Sequence, residues 1–313
     1  MMQQEKQLTA AMFRPVADRF FDAEAINRPQ VSYWADVWRR LQKNKLAMVG
    51  LGIMIALLVM AIIGPYVSGY TYDAQNFAEK NMYPGKAHWF GTDSSGRDIF
   101  TRIWYGARIS LFIGMMAALI DFVLGVLYGG IAGLKGGRVD NMMMRMAEVL
   151  YGVPYLLMVI LLMVVMGPGI WTIIIAMTIT GWIPMARLVR GQVLQLKQQE
   201  YVQAARVLGA DTGWILRKHV IPNTMGPILV NVTLTVPAAI FAEATLSFLG
   251  LGVPAPQASW GTMANDALVS LLVGHAYQLF IPGFFISLTM FAFNVLGDGM
   301  RDALDPGMGK SFD

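Results

Sequence analysis

No cysteine occurs among the 313 residues, which excludes a disulfide scaffold, thiolate metal sites, iron–sulfur ligation and a cysteine nucleophile. Histidine is nearly as scarce. His88, His219 and His275 lie far apart and form none of the close-spaced ligand pairs of zinc hydrolases. Charge is thin as well: 14% of residues are Asp, Glu, Lys or Arg and 56% are hydrophobic, against roughly 25% charged in soluble domains. Water does not suit most of such a surface, and a bilayer does. The net charge of +4 needs no nucleic acid, because basic residues at cytoplasmic loop ends give the same excess. Neither a G-x-S-x-G elbow nor an H-E-x-x-H pair is present, so hydrolytic chemistry has no visible centre. Gly309-Lys310-Ser311 ends like a phosphate-binding loop, but Leu304 stands at the first glycine position, and a polar tail is the reading.

What is abundant is long apolar runs. Six stretches, at about 46–66, 109–134, 144–166, 169–189, 226–250 and 279–299, approach the ~20 residues that carry a helix across ~30 Å of hydrocarbon. The predicted fold is therefore an all-α integral membrane protein with about six transmembrane helices. It divides into a polar segment 1–45, a first span and loop 46–108, a core of five spans over 109–300, and a tail 301–313. Residues 1–45 carry eight Lys/Arg and five Asp/Glu without the apolar core of a secretory signal. At its end Trp34, Trp38 and Leu41 recur at helical spacing beside Arg39, Arg40, Lys43 and Lys45, as in an interfacial amphipathic helix. Gly167-Pro168-Gly169 joins the third and fourth spans as a tight hairpin. The segments 67–108, 190–225 and 251–278 are long enough to hold structure of their own.

Cations set the orientation. The four at 39–45, then Lys135, Arg138 and Arg145, then Arg187, Arg190, Lys197, Arg206, Arg217 and Lys218 fall on one alternating set of loops; of the other set, 251–278 has none, while 67–107 holds Lys80, Lys86, Arg97 and Arg102 balanced by Asp73, Glu79, Asp93 and Asp98. That set, with both termini, is expected to be cytoplasmic. In the second span Gly125, Gly129 and Gly133 repeat every fourth residue, a bare stripe where another backbone can approach.

Segment 190–225 reads as two short helices. Tyr201, Ala205 and Leu208 form a stripe, Glu200 favours the first helix's N-terminus, Gly209 stops it, Asp211 or Thr212 caps the second, and Pro222 ends that one before the next span. On physics alone the hairpin is either a docking element, with small Ala204 and Ala205 admitting a close neighbour, or a cap over the bundle.

The run EYVQAARVLG over Glu200–Gly209, followed by HVIPN over His219–Asn223, resembles the EAA signature of ABC importer permeases, with Gln203 in place of the usual glutamate and His219 in place of a common isoleucine. Trp38–Gly50 (WRRLQKNKLAMVG), Phe90–Asp98 (FGTDSSGRD), Tyr105–Leu111 (YGARISL), Ala242–Gly252 (AEATLSFLGLG), Ser259-Trp260-Gly261 and Asn294–Pro306 (NVLGDGMRDALDP) are similar to the C-type permeases of oligopeptide, dipeptide and nickel importers. The resemblance runs from about residue 34 onward. It implies a multi-pass protein of a bacterial cytoplasmic membrane that works with a B-type permease, two cytoplasmic ATPase subunits and an extracytoplasmic peptide-binding protein. ATP and Mg would be bound by the ATPase chains, and this chain would carry no cofactor and no catalysis. Glu200, Gln203, Ala204, Ala205 and Gly209 would lie on a coupling helix between spans four and five, gripped by an ATPase. Transport would follow by alternating access, with oligopeptide taken ahead of dipeptide as cargo.

Polar residues inside spans are costly unless they face protein or water. Glu243, and after it Asp121 and Asn231, are candidates to line the path, with a hydrogen-bonded helix contact as the other reading of Glu243. Asp298, Arg301 and Asp302 are spaced to pair locally at a helix end. Two rival functions remain on sequence grounds: a secondary transporter driven by an ion gradient, kept open by Asp121 and Glu243, and a membrane enzyme, which lacks any catalytic constellation.

Overall fold

The computed structural model describes residues 32–304; most of 1–45, the phosphate-loop near miss at 309–311 and the tail beyond Leu304 lie outside the described residues. Ser32–Asp36, with Tyr33 edge-on to Trp34 at 5.3 Å, begin helix α1 (Tyr33–Lys43), and the body of the protein runs from Val37. Eleven α-helices follow one another among the described residues, with a single isolated bridge between Thr92 and Asp98 as the only β-pairing.

Among the described residues five helical runs are long and apolar enough to cross a membrane: α2 (Lys45–Ile63) with its 3₁₀ extension to Tyr66, α3 (Ile99–Lys135), α6 (Ile170–Leu196), the run Gly213–Leu251 containing α9 (Ile221–Leu246), and α11 (Tyr277–Leu304). The stretch 144–166, read as one span, is bent, and counted as one broken span it makes the expected six. α4 (Gly137–Tyr151) and α5 (Tyr155–Met166) meet at 77°. Pro154 is the cause, because its ring disfavours helical backbone in the residue before it. At twelve residues α5 is about 18 Å long, too short to cross ~30 Å of hydrocarbon by itself.

The second span begins ten residues before the expected 109. α3 is capped by Asp98, whose Oδ2 accepts from the Thr101 amide at 2.8 Å, and its 37 residues reach about 55 Å. Arg102 and Arg108 conceal this extension from hydropathy. Arg108 donates to the Ala61 and Ile62 carbonyls at 2.5 and 2.6 Å, and Arg102 reaches Asp93 and Asp266, each at 3.5 Å.

α3 is the central mast, packed along α6 and α9. The glycine stripe is where α6 comes closest: a methyl group at Gly129 would run into the Ala186 carbonyl, and one at Gly133 would lie 2.8 Å from Val193 Cβ. α2 packs on α11, while α10 (Trp260–Leu272) lies against α11. The ends of the bundle differ. At one, segment 67–98 folds over α3 and α11, with Arg97 paired to Asp93 at 2.6 Å, His88 bonded to Asp98 at 2.9 Å, and the Tyr277 hydroxyl donating to the Met82 or Thr92 carbonyl at 2.8 and 2.9 Å. At the other, Arg190 of α6 donates twice to Asp140 of α4, at 2.5 and 2.7 Å, and Lys197 reaches the Gly133 carbonyl at 3.1 Å. Asp298, Arg301 and Asp302 are exposed on α11 and form no ion pair with one another, since long solvated side chains gain little from pairing.

Candidate functional site: a polar-floored cavity and an exposed helical hairpin

α3, α6, α9 and the α4–α5 break line an open cavity of about 690 Å³. Ala117 and Asp121 come from α3; Thr180, Gly181 and Pro184 from α6; Asn231, Leu234 and Thr235 from α9; Tyr151–Tyr155 close one side. The walls follow from the packing: glycines draw α3 and α6 together along the stripe, and next to it Pro184 and the break after Tyr151 interrupt regular helix contacts.

Of the three polar residues read as path candidates, Asp121 and Asn231 line this cavity and Glu243 does not. Asp121 is 6% exposed, its Oδ1 is buried, and no described residue donates to its carboxylate. Gly181 makes room for it, since a Cβ there would stand 2.7 Å from Oδ2. The Tyr155 hydroxyl, also buried, is likewise without a partner.

Glu243 is wholly buried in a different environment. Its Oε1 accepts from Ser247 Oγ at 2.7 Å and Ser259 Oγ at 2.6 Å, and its Oε2 from Ser110 Oγ at 3.3 Å. Ser110 in turn accepts from the Trp260 amide at 3.2 Å, and the Trp260 indole donates to the Ile103 carbonyl at 3.0 Å. The carboxylate thus knots α3, α9 and the start of α10 together, the hydrogen-bonded contact rather than a path surface. Its serine partners went unmarked in the sequence reading, although Ser247, Ser259 and Trp260 belong to the quoted motifs AEATLSFLGLG and Ser-Trp-Gly.

The hairpin is built as α7 (Glu200–Val207) and α8 (Thr212–Ile215). Gly209 turns the chain at φ +88°, a conformation that favours glycine, and Asp211 caps α8 by accepting from the Trp214 amide at 2.7 Å. Two details differ from expectation. The buried residues of α7 are Val202 and Ala205, spaced by three, so the stripe Tyr201, Ala205 and Leu208 is split, with Ala205 buried and Tyr201 and Leu208 exposed. Val202 joins Leu216, Val220 and Leu134 in one cluster, while Val207 and Leu208 are each 87% exposed. Pro222 does not end a helix either. A π-turn over Leu216–Val220 leads straight into α9, and Pro222 sits in the first turn of α9, where its missing N–H is tolerated. Glu200, Gln203, Ala204 and Gly209 are exposed, with Gln203 donating to the Lys197 carbonyl at 2.8 Å, whereas Ala205 is buried. Among the described residues no group of three His, Asp or Glu side chains is arranged to hold a metal.

Apolar helices around a polar-floored cavity, with a helical hairpin left exposed at one end, define a membrane permease. The family described as the inner membrane component of binding-protein-dependent transport systems matches residues 125–310, and the N-terminal transmembrane domain of oligopeptide transport permease C matches residues 32–84. This chain belongs to that permease family and is a multi-pass protein of the bacterial plasma membrane. It is 65% identical over 285 residues to the dipeptide transport system permease protein DppC of Bacillus subtilis, covering 91% of this chain and 89% of the relative. To the oligopeptide transport system permease protein OppC of the same organism it is 59% identical over 299 residues, covering 96% and 98%. The OppC of Escherichia coli K12 shares 43% over 277 residues, covering 88% of this chain and 91% of that one. In fold it is similar to a chain of the inward facing MetNI methionine ABC transporter, with a TM-score of 0.54 and 18% identity over 65% of this chain and 96% of that one. Family membership makes the chain a subunit of a larger ABC transport complex and sets aside the ion-gradient transporter and the membrane enzyme.

Proposed function

We propose that this chain forms half of the path of an ATP-driven importer of short peptides, beside a B-type permease, with two cytoplasmic ATPase subunits and an extracytoplasmic peptide-binding protein. Relatives named for dipeptide and for oligopeptide transport have a short peptide in common as cargo. The cavity walled by Asp121, Asn231 and Thr235 supplies the path. The α7–α8 hairpin receives the motor, and its end of the bundle, with both termini, faces the cytoplasm. ATP and Mg stay with the ATPase chains, and this chain does no chemistry of its own.

The observation that carries the reading is the pair Val207 and Leu208, each 87% exposed at the tip of α7 beside Ala204 and Gly209. In a helix whose other face is buried, two neighbouring apolar side chains left in the open fit a groove on another protein. The test is co-purification with the ATPase subunits after a Val207→Asp, Leu208→Asp double change. Loss of the ATPases from a chain that still inserts and still holds the second permease is the expected outcome. Retention of both ATPases at wild-type level would remove the hairpin from the coupling role.

A further inference from the structure

The cavity has one formally charged wall residue. Among the described residues no Lys, Arg, His or second carboxylate lines it, and the other polar side chains on its lining are neutral: Tyr151, Tyr155, Thr180, Asn231 and Thr235. Asp121 is more than nine-tenths buried, yet no donor within the described chain reaches it. A carboxylate in an apolar bundle is costly without a compensating cation or donor, so an unpaired one facing a cavity marks a place where a cation arrives from outside the chain.

We propose that Asp121 is the recognition point in the path for the positively charged amino terminus of the passing peptide. The inference rests on the peptide-permease reading. A path that tolerates many side chains has only sequence-independent groups to hold, and the terminal ammonium is the one cation every unblocked peptide carries. A lone carboxylate set among neutral groups attracts that group and gives the peptide's own carboxylate no counterpart, which orients the cargo with its amino end toward α3. The cavity's ~690 Å³ suits a ligand of short-peptide size.

The test uses the whole transporter in lipid nanodiscs with the receptor omitted, so that the receptor's own preferences play no part, and measures equilibrium binding of radiolabelled trialanine and of N-acetyl-trialanine. Wild type should bind trialanine roughly tenfold more tightly, the worth of one charge-assisted hydrogen bond. Asp121→Asn should bind both peptides alike, at the acetylated level, and Asp121→Glu should restore part of the preference. An unchanged preference in Asp121→Asn, or no binding of either peptide by wild type, overturns the proposal. So does a variant that no longer co-purifies with the second permease, which would make Asp121 the partner of a cation on that chain. Receptor-driven, ATP-dependent uptake of trialanine by the same complexes separates the two layers. No uptake by wild type sinks the peptide-permease reading itself, whereas uptake together with an unchanged preference in the variant sinks only the role of Asp121.

Discussion

Glu243 and Asp121 are both carboxylates buried among apolar helices, yet among the described residues Glu243 receives three serine hydroxyls and Asp121 receives no donor. The first is arranged as a structural group is arranged: every hydroxyl belongs to a helix that must be held, and Ser259 is at once a ligand of Glu243 and the N-cap of α10. The second is arranged as a binding group, with glycine opposite it and open volume beside it. Burial alone does not separate the two; satisfaction does.

Stability measurements on the solubilised chain can break this contrast. Glu243→Leu should have the largest effect, because three buried hydroxyls lose their acceptor. A loss of about 2–4 kcal/mol should appear as a melting temperature lowered by about 5–10 °C, or as failure to accumulate in the membrane. Ser259→Ala should cost less, about 1–2 kcal/mol, by removing one donor to Glu243 and the cap of α10 together. Asp121→Asn should be smallest, within about 0.5 kcal/mol of wild type, because no internal bond is lost. A thermal-shift series that ranks Asp121→Asn with Ser259→Ala would show Asp121 to be a structural group after all.

The sequence made the hairpin and the glycine stripe legible because each is a local pattern. Gly209 and Asp211 punctuate a short amphipathic run, and Gly125, Gly129 and Gly133 fall on one helix face whatever packs there. Of the partners of Glu243, Ser247 lies at helical spacing, whereas Ser110 was hidden because it is 133 positions away in the chain, a separation no periodicity spans. The early start of α3 was hidden because Arg102 and Arg108 lower the local hydropathy, and only the fold reveals the acidic groups and carbonyls that receive them. The break in the third span did leave a trace, Gly152-Val153-Pro154, which a sum of apolar residues passes over. The stripe Tyr201, Ala205 and Leu208 does not form one face, because the buried residues of α7 are Val202 and Ala205, and Val202 is set by what it packs with, Leu216 and Val220.

The passage from α8 through the π-turn into α9 gives the molecule a lever. From Thr212 to Leu246 the chain never leaves helical winding, so a rod about 50 Å long has the hairpin at its near end, the cavity wall at Asn231 and Thr235 midway, and the serine-clamped Glu243 at its far end. With that far end held by α3 and α10, a tilt of only about 5° displaces the hairpin end by about 4 Å and the cavity wall by about half as much, in the same direction and at the same instant. No loop separates the two, so a stroke at the hairpin that is not taken up by bending at Pro227 or Pro237 reaches the cavity wall.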